Sequence, residues 1–151
     1  MRGGVTVLAC PSLTAPEPVL ALARAVVARD GGRLILAHVL PSRPDLFDTP
    51  MFAHVVDDVV ESRRRDTQAW LTALAPRDVA TSVEVMEGDF SVRIVDGVVR
   101  WGVGLVVVRP EDAARLMDTA PCPVIAVPER GDAPAVVKTS PQRHRRATRT
   151  A

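Results

Sequence analysis

Apolar positions along the chain change their period several times. "VTVLA" over 5–9, "RLILAHVLP" over 33–41, "VGLVVVR" over 103–109 and "CPVIAVP" over 122–128 are apolar at nearly every position. Such continuous runs predict strands covered on both faces. "TSVEVME" over 81–87 alternates instead and predicts a further strand. Between the strands apolar residues return at helical spacing. Leu20, Ala23, Val26 and Val27 share one face of a helix that stops at Gly31-Gly32. Met51 to Leu74 carries Phe52, Val55, Val56, Val59 and Val60, then Trp70, Leu71 and Leu74, after the loop "SRPDLFDTP". "FSVRIVDGVVRW" ends at Gly102, and Arg109-Pro110 opens a short helix, "EDAARLMDT". Thr14 followed by Glu17 has capping-box spacing for the start of the first helix.

Strands alternating with helices predict an α/β fold: a doubly wound, open, five-stranded parallel sheet with helices on both faces. Residues 1–128 form the predicted domain. Residues 129–151 show no sustained apolar period and are predicted to be a disordered, basic tail. Ligands of such sheets bind beyond the carboxyl ends of the strands, where strand order reverses. That singles out Cys10, Pro11 and Ser12, then Val39 and Leu40, then Gly88 and Asp89, and finally Arg109 and Pro110.

Composition narrows the chemistry. The 151 residues suffice for one well-buried core. Tyrosine is absent and only 3% of residues are aromatic, so a base-stacking face for single-stranded nucleic acid is not available. No run approaches the roughly 20 apolar residues of a membrane span, and Val19 to Val27 reads as a core stripe; a cytoplasmic location is predicted. Through Pro128 there are 13 arginines against 16 acids, while the remainder is about +4 and includes the one lysine, Lys138. The "RHRR" of the tail is predicted to be solvated, as is Arg63 to Arg65; nucleic acid and membrane are not expected partners. Cys10 and Cys122 fall at opposite ends of their strands, beyond disulfide reach, and are predicted to be reduced and buried.

The run to "ACPS", "RLILAHVLP", the "EGD" turn, "GVGLVVV" and "APCPVIAVP", in that order, resemble the universal stress protein family over about residues 4–128. The resemblance implies sheet order 3-2-1-4-5 and often a dimer joined through the last strands, here Val124, Ile125, Ala126 and Val127. It also implies that some members bind ATP or AMP, through an Asp ending strand one and a glycine-rich loop after strand four. This chain departs from both: Cys10 and Pro11 replace the Asp and Gly, leaving Ser12 as the match, and Arg-Pro-Glu-Asp stands where the loop would start. A phosphate cradle needs inward backbone N–H groups that glycine supplies easily and proline cannot. Glu111 and Asp112 would already occupy the positive end of the helix dipole.

The expectation is a non-catalytic regulatory or interaction module, a likeness to universal stress proteins with no cofactor and weak or absent nucleotide binding. The alternative keeps ATP, AMP or another small ligand in a crevice near Ser12, Val39, Gly88 and Arg109. A second alternative is a hydrolase using Ser12 with His38 and Asp89, although no Gly-x-Ser-x-Gly elbow presents the serine; Cys10 is the other candidate nucleophile. Arg109 is expected to pair with Glu111, Asp112 or Asp89. His54 has no second ligand at metal-binding spacing, so no metal is expected.

Overall fold

The computed structural model describes residues 4–42, 53–130 and 134–138. The loop over 43–50, Phe52 and residues 139–151 lie outside them, as do the side chains of His54 and Val56.

The elements run β1 (Thr6–Cys10), α1 (Glu17–Asp30), β2 (Arg33–Leu40), α2 (Ala53–Leu74), β3 (Ala80–Glu87), α3 (Phe90–Trp101), β4 (Leu105–Val108), α4 (Pro110–Leu116), β5 (Val124–Ala126) and β6 (Ala135–Lys138). They form one sheet of order β3-β2-β1-β4-β5-β6, parallel throughout except for β6, which pairs antiparallel with β5. The expected order of the first five strands is found, but the sheet has six strands, not five. The extra one comes from the segment assigned to the tail. It forms because β5 otherwise ends the sheet with a row of unpaired backbone groups, and Val136-Val137 is the nearest β-branched stretch downstream.

The period of 2 along each central strand splits the core into two layers. Leu8, Ile35, Ala37, Val106 and Val108 face α3 and α4, where Ile94, Val98 and Leu116 meet them. Val7, Ala9, Leu34, Leu36 and Val107 face the other way, onto Val19, Ala23 and Val27 of α1 and Leu71 of α2. Almost all these side chains are removed from water, each contributing about 1.5–3 kcal/mol of burial if large. Gly31 (φ 76°) and Gly102 (φ 63°) end α1 and α3 in the left-handed region, where each N–H donates to a carbonyl of the preceding turn.

Two local expectations are corrected. Thr14 and Glu17 make no capping box: the residue before α1 is Pro16, which provides no side-chain cap, and the Thr14 hydroxyl is engaged by Ser12 at 3.0 Å. Arg64 is not a solvated charge. From α2 its Nη1 donates to the carbonyl of Val85 at 2.8 Å, on β3 at the other edge of the sheet.

Candidate functional site

The carboxyl ends of β1, β2 and β4, with the β3–α3 turn, surround a crevice of about 580 Å³. Ser12, Val39, Gly88 and Arg109 all line it, together with Cys10, His38, Asp89 and Asp112. Of the nine residues that the strand-end rule singles out, seven line this one cavity and Leu40 and Pro110 do not; parallel strands bring the seven together because they present their carboxyl ends on the same side.

At the end of β1 the chain turns through Pro11, and Ser12 is 7% exposed. Its hydroxyl donates to Glu129 Oε1 at 3.2 Å and accepts from the Thr14 backbone N–H at 3.2 Å. Glu129 lies 117 residues away and follows β5, so this bond ties the rim of the crevice to the segment leading toward β6.

Gly88 has φ 129°, a conformation that L side chains rarely adopt, and its N–H donates to Leu40 O at 2.9 Å. Asp89 follows as the N-cap of α3: its backbone is extended and its carboxylate accepts from Val92 N at 3.2 Å.

The β4–α4 junction is abrupt. Arg109 is the N-cap, extended at φ −74° and ψ 163°, and Pro110 begins the helix at once. The Arg109 carbonyl accepts from the N–H groups of Asp112 and Ala113 at 3.1 and 3.0 Å. Arg109 Nε donates to Asp112 Oδ2 at 3.2 Å, while Arg115 Nη1 lies 3.9 Å from Oδ1 of the same carboxylate. Of the three expected acids, Asp112 is the partner. It is only 8% exposed, so the buried acid sits between two guanidinium groups. Arg115 also stacks over the Phe90 ring, 5.6 Å from its centroid, and its carbonyl accepts from the Ser91 hydroxyl.

The three residues of the hydrolytic reading are committed elsewhere. Ser12 bonds Thr14 and Glu129, and Asp89 caps α3. His38 meets the Trp70 ring edge-on at 6.2 Å between centroids, and burial lowers its pKa, with the charges of Asp112 and Arg109 acting in opposite directions. No hydrogen bond joins these three among the described residues. Cys10 and Cys122 are free thiols, both buried. Burial and the Asp112 charge push the Cys10 pKa far up, and burial raises that of Cys122 to about 11, so neither is a ready thiolate. Among the described residues no group of three His, Cys, Asp or Glu side chains is placed to hold a metal ion. No helix among them is long and apolar enough to cross a membrane.

Arg115 and Glu129 were not singled out from the sequence. Arg115 stands three residues after Asp112, a spacing that carried its signal; nothing local pointed to Glu129.

No protein-family model and no curated protein matches the sequence. Solved structures do. The universal stress protein UspA from Lactobacillus plantarum superposes with a TM-score of 0.60 at 17% identity, over 84% of this chain and 99% of that one. A universal stress protein family member from Burkholderia pseudomallei gives a TM-score of 0.57 at 23% identity, over 82% and 95%. A universal stress protein from Archaeoglobus fulgidus gives 0.61 at 16% identity, over 83% and 94%. These superpositions, each over more than four-fifths of the chain, identify its architecture as the UspA-like fold.

Proposed function

We propose that this chain is a non-catalytic regulatory or interaction module, with weak or absent nucleotide binding. The observation that carries the reading is the β4–α4 junction. A phosphate seated there would meet a proline without an N–H, a helix of 7 residues with Glu111 and Asp112 in its first turn, and two arginines that already face Asp112. Asp89 and Asp112 offset Arg109 and Arg115, so the charged lining of the crevice is formally neutral with His38 uncharged. A triphosphate would find no excess of positive charge in that lining.

Isothermal titration with ATP and with AMP tests this. The expected outcome is a Kd weaker than about 1 mM, less than about 4 kcal/mol of binding. A Kd below about 100 μM for either nucleotide would overturn it. Turnover of an activated ester that disappears in Ser12→Ala would overturn the non-catalytic part.

One observation favours a second reading, an adenine-nucleotide or other small-ligand binder. The crevice, at about 580 Å³, is large enough for a small molecule, and Ser12, Val39, Gly88 and Arg109 converge on it. A thermal-shift screen with uncharged and zwitterionic metabolites, run beside the nucleotide titrations, separates the two readings.

A further inference from the structure

A second cavity, of about 270 Å³, lies at the outer edge of β3 and is lined from α2, β3 and α3. It shares no lining residue with the crevice at the strand ends. Helical spacing puts Arg93, Gly97 and Arg100 on one stripe of α3. Gly97 brings no side chain to that stripe, and the Trp101 ring fills the place instead: a Cβ on Gly97 would stand 2.6 Å from Cζ3 of the ring. On β3, Glu84 shares with Met86 the side that faces α3, where Met86 packs against the core layer of Ile94 and Val98. Around the strand edge, Arg64 reaches in from α2 to the Val85 carbonyl at 2.8 Å.

The charges here are poorly matched with one another. The Nε of Arg93 is buried and has no hydrogen-bond acceptor among the described residues. Its Nη1 lies 3.4 Å from Asp96 Oδ2, and no side chain of Gly88 crowds Nε, since even a Cβ there would stay 3.5 Å away. Buried donors in folded proteins are almost always paired, so this N–H marks a place for an acceptor from outside the chain. Arg100, Glu84 and Glu87 form no ion pair among the described residues. The lining holds three arginines and three carboxylates, so an anion alone would meet as much repulsion as attraction. A molecule that carries both signs can pair with each.

We propose that this cavity is a second ligand site, for a small zwitterion bearing a carboxylate and a cationic nitrogen. The carboxylate accepts from Arg93 Nε, a charge-assisted bond, and the cationic nitrogen meets Glu84 and the face of Trp101. The volume falls below the roughly 300–1,000 Å³ usual for drug-sized ligands, which limits the occupant to the size of an amino acid.

A ¹H–¹⁵N NMR titration of the full-length chain tests the proposal, because the Arg93 Nε–H and the Trp101 indole N–H report from the cavity itself. The probes are glycine betaine, β-alanine and L-glutamine, with acetate and choline as ligands of one charge each. At least one zwitterion is expected to move both resonances with a Kd below about 1 mM, and acetate and choline to bind at least about tenfold more weakly. Arg93→Gln and Glu84→Gln are each expected to weaken that zwitterion by at least about tenfold; if one variant fails to fold, the other carries the test. Binding by none of the three zwitterions below about 1 mM would overturn the proposal, as would acetate or choline binding within about tenfold of the best of them. Shifts centred on Ser12 and Val39 would place the ligand in the crevice instead and overturn it too, as would undiminished binding in either folded variant.

Discussion

Asp112→Asn is the most informative single change in the crevice. It keeps the shape of the side chain and one oxygen for Arg109 Nε, but removes the charge shared by Arg109 at 3.2 Å and Arg115 at 3.9 Å. At the shorter distance, and with an effective dielectric of about 20, the gross attraction is about 5 kcal/mol. Most of that is offset by desolvation, because Asp112 is nearly buried, while Arg109 keeps 35% of its side chain in water and is partly screened. Losing the charge from the first turn of α4 adds about 0.5 kcal/mol. The expected net loss is about 1–2 kcal/mol, a fall in Tm of about 3–6 °C for a chain of this size. The same change leaves the crevice lining with an excess positive charge, so inorganic phosphate and AMP are expected to bind about tenfold more tightly than to the wild type. Calorimetry and titration on the same samples read both quantities. An unchanged Tm together with unchanged phosphate affinity would refute the idea that Asp112 organises this charge cluster.

Three further outcomes follow from individual contacts. Burial holds the His38 pKa below its ordinary value, so the neutral ring is favoured by the fold; its contribution to stability is complete above about pH 6.5 and is lost as pH falls through the lower folded value. The urea midpoint of the wild type should therefore drop more between pH 7.5 and pH 5 than that of His38→Leu, and parallel profiles would contradict this. Cys122, raised by burial from 9.0 to about 11, contributes stability that is complete below about pH 9 and is lost as pH rises toward 11; neither thiol should react with an aromatic disulfide reagent at pH 8 until the protein is unfolded. In Gly97→Ala the new Cβ would lie 2.6 Å from Cζ3 of Trp101, which outweighs the roughly 1 kcal/mol gained in helix propensity; a net loss of about 1 kcal/mol is expected by chemical denaturation, and a stabilised variant would show that the ring swings aside.

Much of the architecture was legible because it rests on short-range patterns. The β-branched runs at β1, β2 and β4 are continuous because helices cover both faces, and the left-handed glycines at 31 and 102 mark where two helices stop. Asp89 and the pair of Arg109 with Asp112 were readable for the same reason, as each acts within three residues of itself. Two of the misses have the opposite property. β6 exists only because β5 offers it a partner, and four residues beside a proline carry no period of their own. Ser12 and Glu129 meet across the whole fold. The capping-box spacing at Thr14 was overridden because the turn after β1 gave that hydroxyl a nearer partner and Pro16 set the helix start.

The guanidinium of Arg64 on the Val85 carbonyl has a consequence for how this protein behaves when concentrated. β3 is an eight-residue strand bordering the sheet, the kind of margin along which chains stack into fibrils. A cation fastened to one of its carbonyls both occupies an acceptor and places charge where an incoming strand would have to lie flat. Filament growth should therefore be resisted on that flank by one side chain, and Arg64→Ala is the substitution that would reveal how much colloidal safety it provides.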